Sequence, residues 1–65
     1  MKLSKNKYKE LRKSALVLAG ELGTMAELTE ELDACLAYDK ACEMLDAIDS
    51  IGLRLKYITS DDTGY

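Results

Sequence analysis

Apolar positions Tyr8, Leu11, Ala15, Leu18 and Leu22 step by 3, 4, 3 and 4 residues, which is the seam of an amphipathic helix and not the alternation of a strand. The spacing predicts a first helix over about residues 5–22. Ser4 is placed to cap it, with Leu3 and Tyr8 in the two positions of a hydrophobic staple. Gly23 follows the last seam residue and suits the left-handed conformation that commonly closes helices. Thr24-Met25-Ala26-Glu27 then reads as a capping box, opening a second helix over about residues 25–51. Ala, Leu, Glu and Met dominate that stretch, and neither glycine nor proline interrupts it.

The apolar face of the second helix changes direction. At 100° per residue Met25, Leu28, Leu32, Cys35 and Leu36 share one side, while Tyr38, Ala41, Leu45, Ile48 and Ile51 share a side rotated by roughly 140°. One resolution is a break near Asp39, giving a compact three-helix monomer. The other is a continuous helix whose halves meet different neighbours, and the absence of Gly or Pro favours it. The expected fold is therefore an all-α helical hairpin that homodimerises into a four-helix arrangement. Its core would come from Tyr8, Leu11, Leu18, Leu22, Leu28, Leu32, Leu45 and Ile48, with Val17, Cys35, Leu36, Ile51 and Leu55 left for self-association. After Gly52, the alternation of Leu53-Arg54-Leu55-Lys56-Tyr57-Ile58 predicts a short extended C-terminal segment, which would need a strand from another chain to pair with. Residues 1–58 form the single helical domain, and the polar residues 59–65 read as a mobile tail.

Length supports the dimer. A chain of 65 residues buries only about 60% of the surface that its unfolded form exposes, so a solitary core of this size is marginal. With 48% hydrophobic and 32% charged residues, the chain is too apolar for disorder and too charged for a membrane protein.

Charge divides the chain more than the net value of −3 suggests. Residues 1–13 carry six cations against Glu10, and residues 21–50 carry nine carboxylates against Lys40. Each end of a helix charged this way opposes its own macrodipole, and antiparallel packing would let the two segments compensate. The excess also defines two candidate surfaces. Asp39, Glu43 and Asp46 form an i, i+4, i+7 row with Asp49 beside it, a line of negative charge fit to meet a basic protein, such as one that processes nucleic acid. Lys5, Lys9, Arg12 and Lys13, with Tyr8 to stack on a base, form the alternative, a nucleic-acid-binding face on the first helix. Residues 18–32 also fit helix-turn-helix spacing, but the would-be recognition helix carries Glu27, Glu30 and Glu31, which phosphates repel.

Candidate chemistry is sparse. The chain has no His, and Cys35 and Cys42 stand seven residues apart, a spacing that fits neither a C-x-x-C redox site nor a zinc knuckle. The pair reads as two small buried apolar side chains in a reducing cytoplasm. No phosphate-binding or calcium-binding motif occurs, so no cofactor or metal is expected, and no small-molecule substrate. Catalysis would need a tuned base in a water-poor pocket that so small a chain can hardly enclose. The basic start runs on to Lys13 without the apolar core of a signal peptide, and no stretch is long enough to span a bilayer. The expectation is a small cytoplasmic, non-enzymatic interaction protein.

Overall fold

The computed structural model describes residues 2–63. It is all-helical: α1 spans Lys5–Thr29, α2 spans Leu32–Leu55 and a single turn, α3, spans Ser60–Thr63. The two long helices form an antiparallel hairpin, and the molecule measures 38 × 25 × 14 Å. Its smallest dimension is little more than one helix diameter, so the hairpin is a single layer, where most domains stack two.

Ser4 caps α1 as expected, its extended backbone (φ −76°, ψ 156°) letting the hydroxyl accept from the Lys7 N–H at 3.1 Å. The helix does not stop at Leu22. It runs through Gly23 and Thr24 to Thr29, and Glu30 closes it in the left-handed conformation (φ 54°) with its N–H on the Ala26 carbonyl. Instead of capping a new helix, the Thr24 hydroxyl donates back to the Gly20 carbonyl at 3.1 Å. Thr29 ties the real turn, donating to the Met25 carbonyl at 2.8 Å and accepting from the Glu31 N–H at 3.3 Å. Moving the turn by seven residues makes the two helices equal partners of 25 and 24 residues.

α2 is continuous through Asp39, so the three-helix alternative does not form. Its face does not switch either. Ala34, Ala41 and Gly52 are buried and Ala37, Leu45 and Ile48 half-buried, a single stripe at helical spacing. Facing it on α1 are the buried Tyr8 and Ala19, with Ala15, Leu22 and Ala26 half-buried. The helices thus pack along a seam made largely of alanine, and the bulkier side chains flank it. This corrects the expected core: Leu11 and Leu18 are about half exposed, and Leu28 and Leu32 are 81% and 71% exposed. The leucine periodicity was real, but the small residues between the leucines permit the closer approach of two backbones.

The extended segment expected after Gly52 is absent. Leu53 to Leu55 continue the helix, because their backbone groups find partners within it and no second strand exists among the described residues. Lys56 then takes the left-handed conformation (φ 62°), and its N–H bonds the Leu53 carbonyl while the Tyr57 N–H reaches the Gly52 carbonyl. These two bonds define a Schellman closure. The turn carries Ile58 into the core at 6% exposure and brings the Tyr57 ring to 5.7 Å from that of Tyr8. Tyr57 also donates through its hydroxyl to the Leu3 carbonyl. Within the expected tail, residues 59–65, Asp62 accepts from the Thr59 N–H at 2.8 Å and so caps α3, while residues 64–65 lie outside the described range.

Candidate interaction surfaces

Two of the five residues proposed for a basic nucleic-acid face have structural work inside the hairpin. Tyr8 is 3% exposed, and its hydroxyl donates to the Ile48 carbonyl at 2.6 Å. Burial, reinforced by the nearby charge of Asp49, pushes its phenol above the ordinary range. It is not open to stack on a base. Arg12 reaches across the helix pair, its Nε 2.7 Å from Asp49 Oδ1 and its Nη2 donating to the Asp62 carbonyl at 3.0 Å. The hydrogen bond to Asp49 raises the guanidinium further above its already high range. Lys5, Lys9 and Lys13 remain exposed, at steps of four along one side of α1. Beside them lies an open cleft of about 310 Å³ whose lining includes Lys9, Arg12, Lys13, Ile58 and Asp62. The Asp62 carboxyl is held below its usual range, first by the Thr59 backbone N–H.

The acidic row divides in the same way. Asp39, Glu43 and Asp46 are exposed on the outer face of α2, and Lys40 sits 3.5 Å from Glu43 in a largely solvated pair. Asp49 is turned toward Arg12, its side chain 14% exposed, and belongs to the packing between helices. The antiparallel compensation expected from the charge pattern is therefore real at this point. Here an inward-facing pair contributes more than a solvated one, because partial burial strengthens both the Coulomb attraction and the hydrogen bond.

The residues expected to drive self-association are exposed but do not share one face. Ile51 and Leu55 lie on one broad side of the hairpin, Val17 points away from α2, Leu36 lies on the outer face of α2, and Cys35 lies on the opposite flank. Cys35 is exposed and Cys42 half-buried, both as free thiols, so the reading of two buried apolar cysteines holds for neither in full. Among the described residues no three His, Cys, Asp or Glu side chains gather as a metal site would require. No helix of the described chain is long and apolar enough to cross a membrane.

Sequence reasoning missed Gly52. An added Cβ there would collide with the Tyr8 hydroxyl and lie 2.5 Å from Tyr8 Cζ and 2.8 Å from Ile58 Cγ1. Gly52 is a socket for the Tyr8 ring, not a helix stop. The signal lay in the spacing Ala34, Ala41, Leu45, Ile48, Gly52, which joins small and large residues into one stripe. Compared with known proteins, the chain matches no family model, no curated protein and no solved structure.

Proposed function

We propose that this chain is a small non-enzymatic interaction protein, a modulator or inhibitor that presents the outer face of α2 to a basic surface of a protein partner. The observation that carries the reading is the exposure of Asp39, Glu43 and Asp46 along one face of an uninterrupted 24-residue helix. A rigid row of carboxylates concentrates negative potential where a basic groove can receive it, and steers the encounter. Asp49 drops out of the contact set because Arg12 holds it. The setting is cytoplasmic, where Cys35 and Cys42 stay reduced. The working species in this reading is a homodimer in a four-helix arrangement.

The test is capture of partners from the native host. Replacing Asp39, Glu43 and Asp46 with Lys abolishes capture while helical circular dichroism is retained; unchanged capture would overturn the reading. The alternative, nucleic-acid binding through Lys5, Lys9 and Lys13, predicts affinity for RNA or DNA that falls steeply with salt. It has lost the stacking of Tyr8 and the free charge of Arg12. Absence of RNA or DNA binding at low salt removes it, and salt-dependent binding abolished by Lys9→Glu would install it in place of the acidic face.

A further inference from the structure

The two broad sides of the hairpin are unequal. One is covered by the C-terminal segment: Arg12 reaches Asp62 there, Ile58 and Asp62 lie beside Lys9 and Lys13, and the Tyr38 ring rests on Gly23. All the α1 residues involved lie to one side of the seam by helical rotation, as do Tyr38 and Asp49 on α2. Leu11, Leu18 and Met25 lie roughly 70° to 110° to the other side of the α1 seam, and Met44, Ile51 and Leu55 roughly 60° to 100° to the other side of the α2 seam. In an antiparallel pair these flanks share the second broad side. They make it a continuous aliphatic face over the half-buried Leu22 and Ile48, with every one of the six between 38% and 49% exposed.

We infer that a second copy of this chain covers that face, with its hairpin reversed end for end so that α1 lies antiparallel on α1 of its partner. The inference deepens the homodimer part of the proposed function and leaves the acidic-face part independent of it.

Three observations select this occupant. First, area: a compact monomer of 7.2 kDa exposes about 4,100 Å², whereas this chain exposes 5121 Å². The surplus is about 1,000 Å², close to the roughly 800 Å² per partner that a standard stable interface buries. Second, spacing: Leu11, Leu18 and Met25 recur every seven residues, as do Met44 and Ile51, the period that lets helices of two hairpins pack at the shallow angle of a four-helix bundle. Third, charge: the half nearer the loop, residues 17–42, carries six carboxylates against Lys40, while the other half of the described chain carries eight cations against six carboxylates. A two-fold axis across the helices sets each acidic half over the partner's basic half, whereas an axis along the helices would set like on like. The acidic row on the outer face of α2 stands about a third of a turn from this face, so a dimer displays two such rows outward.

The experiment is sedimentation equilibrium of the full chain across concentration, followed by cross-linking. The chain sediments at twice 7.2 kDa. Leu18→Glu weakens the dimer by about a hundredfold or more, because a carboxylate must then be buried without a partner. Val17→Glu, one residue away but pointing outward, leaves the dimer constant unchanged. In a Cys35→Ser, Cys42→Ser background under mild oxidation, Leu18→Cys links to itself, and Leu11→Cys links to Met25→Cys but not to itself. A chain monomeric at every concentration overturns the inference and assigns the face to a different protein; equal loss from Val17→Glu moves the interface elsewhere; linkage of Leu18→Cys to Met44→Cys instead of to itself overturns the reversed orientation. Each of these outcomes leaves capture by the acidic face to be read separately.

Discussion

At the open end of the hairpin Tyr8 fills the socket at Gly52, Ile58 and Tyr57 fold back over it, and Arg12 bonds both Asp49 and the Asp62 carbonyl. At the loop end the seam consists of Ala26 and Ala34, Glu31 precedes α2 without making a side-chain cap, and the turn passes through Glu30 in a left-handed conformation that glycine would adopt more easily. Leu28 and Leu32, the largest apolar side chains near that turn, face solvent. Two ends of one helix pair thus differ in kind. One is held by side chains fitted to each other across a long stretch of sequence, the other by helix continuity and small contacts, so opening of the hairpin should begin at the loop.

The sharpest way to break this asymmetry is Gly52→Ala. The added methyl has no room beside Tyr8 and Ile58, and the substitution should destabilise the fold by about 3 kcal/mol, measured by urea unfolding. The same change at Gly20, where an added Cβ would meet nothing within 4 Å, should stabilise α1 by about 0.5 to 1 kcal/mol. Equal effects at the two glycines would show that helix propensity, and not the Tyr8 socket, governs the open end.

A smaller loss is expected from Asp49→Asn, about 1 to 2 kcal/mol, because the charge-assisted bond to Arg12 becomes a weaker neutral one. A double-mutant cycle with Arg12→Met isolates the coupling, and a coupling near zero would reduce the open end to its aromatic packing. The smallest effect belongs to the loop end. Glu30→Gly relieves the left-handed strain at φ 54° and should stabilise by about 0.5 to 1 kcal/mol, a rise of roughly 4 °C in the midpoint for a domain of this size. The comparison must be made at one protein concentration, since the dimer proposed above would make the midpoint concentration-dependent.

Much of the local structure was legible. The Ser4 cap and the continuity of α2 through Asp39 follow from short-range rules, whereas the alternation of residues 53–58 points to an extended segment where the chain instead completes α2 and turns at Lys56. The turn was not. Gly23 with Thr24 carries stronger local turn and capping chemistry than Thr29-Glu30-Glu31, yet the chain turns at the weaker signal. The reason is pairing: a turn at Glu30 aligns Ala19 and Ala26 with Ala34 and Ala41 and gives Tyr8 its socket at Gly52, a gain no local rule can register. The candidate surfaces were legible to the same degree. Exposure of Asp39, Glu43 and Asp46 follows from helical periodicity, but the capture of Asp49 by Arg12 and the burial of Tyr8 depend on register across 37 and 40 residues.

The sequence by itself determined that this chain is helical, that its helices are long, and that positive and negative charge are separated along it, because propensity, capping and charge are properties of short segments. Tertiary structure decided where the chain turns and which side of each helix is inside. Alanine and glycine carry little hydrophobic signal alone, and their value lies in how closely they let a second helix approach, which exists only once the second helix is in place. That choice sent most leucines of the two long helices outward, Leu22 and Leu45 excepted, and left the single-layer hairpin with a broad aliphatic face.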